Sequence, residues 1–307
     1  MIIIKSIGGL GNQLFQYALY KRFLSLGREA KIDFSQLYRD GLSNELNIFD
    51  NNFKDILNLG EAFDLLIEDN KDILEEVQEE IHFTYGRLEK MFRRKAGIRK
   101  KNHIIEKASY TYDPDILKLD NAYLFGYWQS QKYFLPIREE LLEDIKFPEF
   151  TEVHNLRYAA KINECECPVS LHIRRGDYLI KKFRKQYGGI CTDTYITEAI
   201  NYFKQSSPKA HFFVFTNDKE WVNGHFSDIK MTIVLGNSGT SSYRDLQLMS
   251  MCKHNIIANS SFSWWGAWLN STPDKQVIMP PMWNRTKPTP DIWVPEWIRL
   301  NTPVEDL

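Results

Sequence analysis

The chain has 307 residues, with 39 Lys and Arg against 40 Asp and Glu, so its formal net charge is -1. The length suits two ordinary domains or one large one, and the even charge balance gives no global basic field, which argues against nucleic acid as a partner. Four cysteines without a paired C-x-x-C read as reduced thiols and not as a zinc site. No apolar run of about 18 residues is long enough to span a bilayer, and MIIIKSIGG lacks a signal-peptide layout, so a cytoplasmic location is expected.

Met1 to Ile4 is apolar and β-branched, as in a buried parallel strand, and Leu14, Phe15, Ala18, Leu19 and Phe23 then recur at helical spacing. Between them lies GGLGNQ. In open α/β sheets such a turn sits at the carboxyl end of a strand, where ligands bind. It has no third glycine at the dinucleotide spacing and no Gly-Lys-Ser/Thr for a Walker loop. Two readings stand: a nucleotide loop, or a turn permitted by Gly8 and Gly9 with Asn12 capping the helix.

Acids dominate from Glu61 to Glu80 and bases from Arg87 to Lys101. This pattern predicts a solvated helical insertion, or, for the basic part, a patch for anionic lipid headgroups or a charged acceptor. Asp113-Pro114-Asp115 has the D-x-D form of metal-dependent sugar transferases, but Pro114 reads as a first-turn proline at a helix start. The aromatic stretch NAYLFGYWQSQKYF is centred on Trp128 and Gln129. A polar, proline-bearing stretch from Lys146 to Asn155 predicts the boundary between domains 1–150 and 151–307.

Beyond it, strand-like runs at Cys167 to Ile173, His211 to Phe215, Met231 to Leu235, His254 to Ala258 and Gln276 to Met279 alternate with helical patterns at Thr194 to Lys204, Ser242 to Cys252 and Ser263 to Asn270. Repeated β–α units predict a parallel sheet covered on both faces, a Rossmann-like domain. The first strand runs into HIRRGDY, where period-two alternation puts His172 and Arg174 on one face at the carboxyl end. Arg174 offers a planar fork suited to a diphosphate. Arg175 and Asp177 beside it can pair and fix the loop, and a purely structural Arg–Asp bridge is the plainer alternative.

Asp245, Leu248, Met249 and Cys252 share one helical stripe, so a carboxylate falls on an otherwise apolar face and needs partners. Arg244 or Lys253 would serve, and so would the two N–H donors of a guanine edge. In ANSSFSWWGAWL a serine-rich turn opens a helix whose exposed N–H groups suit phosphate oxygens. Trp264, Trp265 and Trp268 read as packing, and Gly266 as a close helix–sheet approach.

Together GGLGNQLFQYA, GYWQSQKYF, HIRRGDY, FTND and NSSFSWWGAWL resemble the bacterial α-1,2-fucosyltransferases of glycosyltransferase family 11, relatives of the α-1,6- and protein O-fucosyltransferases. The resemblance implies a GT-B α/β architecture, two Rossmann-like domains facing across a cleft, with GDP-fucose held mainly by the C-terminal one. It implies that Arg174 grips the donor diphosphate, that His172 and Asp245 recognise guanine, and that Ser261 and Phe262 contact phosphate or base. Arg175 and Asn217 would flank the donor, while Gly11, Asn12 and Gln13 would approach it or the reacting centre. Trp128 and Gln129 are the expected acceptor contacts and Asp177 the candidate base.

The implied reaction is inverting transfer to the 2-hydroxyl of a terminal galactose, with GDP-fucose as substrate and neither cofactor nor metal. Peripheral contact with the inner membrane through residues 87–101 is a further expectation. Residues 55–110 carry no family motif, and Tyr195-Ile196 stands where the family often has an aromatic pair. A GT-B enzyme using GDP-mannose and a non-catalytic glycan-binding protein are the rival readings.

Overall fold

The computed structural model describes residues 1–33, 103–227 and 229–306. The acidic and basic tracts, with the expected insertion and the segment 87–101, lie outside the described residues. Those described form two compact units, residues 1–33 with 103–146, and residues from Phe147 onward.

The first unit contains β1 (Ile2–Lys5), α1 (Leu10–Ser25), β2 (Ala30–Asp33), β3 (His103–Ile105), β4 (Ala122–Phe125) and α2 (Arg138–Asp144). Its four strands are parallel in the order β2-β1-β4-β3. Ile2, Ile3 and Ile4 are buried in succession, as expected of a parallel strand covered on both faces. Helix α1 buries Leu14, Phe15, Ala18, Leu19 and Phe23, the residues its periodicity singles out. Asn12 is not its cap. Gly9 holds that position without a side-chain bond, and Asn12 already lies in the first turn, its backbone N–H donating to Gly9 O at 2.9 Å. Pro114 does open a short 3-10 helix, whose cap Asp113 accepts the Asp115 N–H at 3.1 Å.

The second unit runs α3 (Val153–Glu164), β5 (Cys167–Ile173), α4 (Lys181–Tyr187), α5 (Asp193–Ser206), β6 (Ala210–Thr216), α6 (Lys219–His225) and β7 (Met231–Val234). It continues through α7 (Tyr243–Met251), β8 (His254–Ile256), α8 (Ser261–Leu269), β9 (Val277–Met279) and β10 (Ile298–Arg299). The six strands are all parallel, in the order β10-β9-β8-β5-β6-β7. Tyr195, Ile196, Ala199, Ile200 and Phe203 of α5 pack on one face of the sheet with Val169, Leu171 and Ile173. Ala159 and Ile162 of α3 and Leu248 and Met249 of α7 pack with Phe213 and Phe215 on the other. This is the doubly covered α/β layering that the alternation predicts.

Two local details differ from expectation. A Cβ on Gly266 would come within 2.9 Å of the Met249 Cβ, so that glycine serves a close approach of α8 to α7, helix to helix. Tyr195 is buried, and its hydroxyl donates to Ile257 O at 2.6 Å, which ties α5 to the end of β8. Behind the start of α8, Trp264, Trp265, Trp268 and Trp297 form one ring cluster, with Trp264 and Trp268 stacked at 6.3 Å.

Candidate functional site

In the second unit the chain goes from β5 outward to β6 and β7, then crosses back to β8 and continues outward on the other side. The boundary between β5 and β8 is therefore a topological switch point, and because every strand is parallel, their carboxyl ends share one edge. His172, at the end of β5, meets Phe262, the second residue of α8, with ring centroids 6.0 Å apart.

Arg174 leaves the end of β5 with its guanidinium 5.1 Å from the Tyr178 ring centroid. Tyr178 stacks on Tyr187 at 5.3 Å and donates its hydroxyl to Asn259 O at 2.9 Å. The Asn259 amide in turn donates to Tyr187 O and to Trp283 O. Arg174 is thus braced by a ring stack fastened to the turn that opens α8, where Ser260 is the cap and Ser261 the first helical residue. A fixed guanidinium beside a helix N-terminus is suited to polyphosphate oxygens.

Arg175 has different work. Its Nε donates to Asp218 at 3.4 Å and its guanidinium lies 4.0 Å from the Trp221 ring centroid. Asp218 sits at the neighbouring strand end as the cap of α6, within reach of this arginine. Asn217 is likewise engaged by the loop. Its Oδ1 accepts the N–H groups of Arg175 and Gly176, and a Cβ on Gly176 would come within 2.6 Å of its Nδ2. Both residues therefore hold the HIRRGDY turn. Asp177 begins a 3-10 turn, Asp177–Leu179.

Asp245, in the first turn of α7, is half-buried. Burial pushes its carboxyl up to about 7, opposed by a hydrogen bond from the Asn237 amide. That bond, 2.8 Å to Oδ1, is its one hydrogen bond among the described residues. Neither Arg244 nor Lys253 is the partner. Arg244 turns away to Glu152, to the carbonyls of Pro148 and Glu149, and to Gln247. A carboxylate with unused acceptor capacity remains at the sheet edge, and two N–H donors on one ligand edge would satisfy it.

In the first unit β1 and β4 are parallel neighbours, so the turns that follow them lie at the same edge of the sheet. Gly8, at φ +79, makes the turn after β1, and a Cβ there would fall 2.4 Å from the Asn12 Nδ2. Asn12 Oδ1 accepts from the Gln129 amide at 2.5 Å, which brings these two expected residues together. Gln13 is 1 % exposed and donates to Gly8 O at 2.7 Å, and Gly11 is buried, so both support the turn from beneath.

Trp128 is also 1 % exposed, edge-on to Tyr133, and offers no open ring face to an acceptor sugar. Its backbone stands at φ +56, with its N–H and that of Tyr127 both accepted by the Glu106 carboxylate. Sequence reasoning did not single out Tyr178, Tyr187, Asn237, Asn259 or Glu106. Tyr178 and Asn259 carried a signal, as the last residue of HIRRGDY and the first of NSSFSWWGAWL.

The family model described as Glycosyl transferase family 11 matches residues 1–301. An Escherichia coli protein named alpha-1,2-colitosyltransferase is 31 % identical over 309 residues, 96 % of this chain and 98 % of that one. The O-antigen biosynthesis glycosyltransferase WbnK of Escherichia coli is 35 % identical over 64 % of this chain and 68 % of its own length. Among solved structures, the fucosyltransferase NodZ from Bradyrhizobium aligns over 86 % of this chain and 92 % of that chain, with 15 % identity and a TM-score of 0.49. The family model spans nearly the whole sequence and includes the turns after β1 and β5: the chain belongs to glycosyl transferase family 11.

Proposed function

We propose that the chain transfers L-fucose from GDP-β-L-fucose to the 2-hydroxyl of a terminal galactose on a glycan, with inversion. The observation that carries this reading is a braced guanidinium, Arg174, at the end of β5, in the same unit as a half-buried acid with unused acceptor capacity, Asp245, in the first turn of α7. Arg174 and the N-terminus of α8 neutralise charge on the departing diphosphate, the part of the molecule where charge develops in the transition state. Asp245 and His172 read the guanine edge. The acceptor hydroxyl attacks C1 from the face opposite the leaving GDP and gives the α-fucoside. Asp177, three residues beyond Arg174, is the candidate general base.

A second reading concerns the sugar alone. Colitose is fucose without its 3-hydroxyl, and the relative named for colitose transfer aligns over nearly the whole of both chains. The test is product formation from GDP-fucose, GDP-colitose and GDP-mannose with a panel of β-galactosides, in EDTA, with Arg174→Ala beside the parent chain. A 2-O-fucosyl product that is lost in the variant supports the proposal. Turnover confined to GDP-colitose transfers it to the second reading, and turnover confined to GDP-mannose overturns both.

A further inference from the structure

The bond that holds Asp245 is the last member of a closed ring of side chains that starts on its sequence neighbour. Arg244 is 3 % exposed and donates through Nε to Glu152 at 3.2 Å. Glu152 also accepts from the Asn155 amide. Asn155, wholly buried on α3, forms a reciprocal pair with Asn237: each amide donates to the other's carbonyl oxygen at 2.9 Å. Asn237 then donates to Asp245. Three elements take part, namely α7, the start of α3 and the loop after β7.

The charge at the Glu152 end dictates how the amides face. An ionised carboxylate only accepts hydrogen bonds. Burial works against ionisation of Glu152, but its own backbone N–H, Arg244 and Asn155 outweigh it and hold the carboxyl below its usual range. Asn155 must therefore turn its NH₂ toward Glu152, and the reciprocal pairing then leaves the Asn237 NH₂ toward Asp245. Flipping either amide would set oxygen against oxygen in a buried place, at the cost of an unsatisfied group. The loop is clamped from its other side as well. Gly236 stands at φ +101, a Cβ on it would come within 2.8 Å of the His154 Nε2, and that same nitrogen lies 3.2 Å from Asn237 Oδ1.

We infer that the Asn155–Asn237 amide pair is a positioning device for base selection: by occupying Asp245 Oδ1 in one fixed orientation, it leaves the rest of the carboxylate to accept from a purine that carries both a ring N–H and an exocyclic 2-amino group. The inference rests on the proposed base-reading role of Asp245 and adds the residues that give that role its selectivity. Asn155 and Asn237 are positioning residues and act through Asp245.

The test is calorimetric binding of GDP and of inosine diphosphate, which lacks the 2-amino group, to the full chain. Losing one hydrogen bond to a charged group should cost roughly tenfold or more, so the parent chain is expected to prefer GDP by about that ratio. Asn237→Ala and Asn155→Ala should each shrink the ratio to roughly threefold or less, with inosine diphosphate affinity changed by less than about twofold. Asn237→Ser, which keeps a donor, should restore part of it. Should Asn237→Ala fail to fold, Asn155→Ala and Glu152→Gln carry the same expectation from farther along the ring. Parallel weakening of both nucleotides, or an unchanged ratio in folded variants of a GDP-selective parent, overturns the device alone. A parent chain that binds both nucleotides equally overturns the base-reading role of Asp245 and the device with it.

Discussion

In the first unit the turn after β1 is held by neutral amides, whereas the second unit adds charged groups, Arg174 and Asp245, to the amides that hold its turns. Gln16 shows how complete the first kind is. Its Oε1 accepts from the Ser6 hydroxyl and the Ile7 N–H, and its Nε2 donates to the carbonyls of Ile7 and Gly126, so every valence is spent inside the unit. Asp245, by contrast, spends one bond on Asn237. A satisfied buried amide network stiffens a backbone; a carboxylate with acceptor capacity to spare is a site for a ligand. The turn after β1 is thus fixed by amides whose valences are spent, while the acid on α7 keeps acceptor capacity.

The largest expected break in that comparison is Arg174→Ala, which should lower kcat/KM by about 10²–10³-fold in steady-state assays, the scale of losing one transition-state charge stabiliser. Lysine should not restore it, because an ammonium cannot reproduce the planar fork. A loss under about tenfold would remove Arg174 from the centre of the site.

Next is Asp245→Asn, whose effects on binding and on stability have opposite sign. The carboxyl moves from 3.8 to about 7 on folding, so the folded chain binds this proton more tightly than the unfolded one. Its contribution to stability is whole below pH 3.8 and is lost as pH rises through about 7. At pH 8 the asparagine variant should melt a few degrees above the parent chain by differential scanning, a difference that shrinks toward pH 4. GDP affinity of the parent should improve as pH rises through about 7 and the acid ionises. In the variant it should be weaker and flat across that range.

Gly8→Ala sharpens the comparison from the other unit. Its positive φ and the approach to Asn12 together predict a displaced turn, with kcat down roughly tenfold while GDP affinity, which the proposed donor site assigns to the second unit, stays within about twofold. The smallest effect belongs to Arg175→Ala. Releasing Asp218 and the Trp221 face should cost about 1 kcal/mol of stability in a denaturant titration and change GDP affinity by less than about threefold. A large binding loss there would return Arg175 to the donor site.

Strands and helices of the second unit were legible because their apolar residues recur at clean periods, and β5 has the bounds expected for it. Helix α3 escaped notice because its buried stripe is only Asn155, Ala159 and Ile162, and the first of these reads as a turn residue. Arg174 and Asp245 stood out as charges at the end of a strand and on an apolar stripe. The loop contacts of Arg175 and Asn217 were not legible, since adjacency in sequence does not reveal which of two arginines faces a neighbouring strand's aspartate. Asn237 and Tyr178 act through partners about 80 residues away, Asn155 and Asn259, a relation that spacing does not encode.

The tryptophan cluster behind α8 has an optical consequence. Seven of the eight tryptophans belong to the second unit, and Trp128 alone to the first. Intrinsic fluorescence excited at the indole band is therefore almost a private signal of the second unit, while far-ultraviolet circular dichroism sums both. A denaturation curve read by the two methods at once distinguishes a chain that melts as one body from one whose halves melt separately.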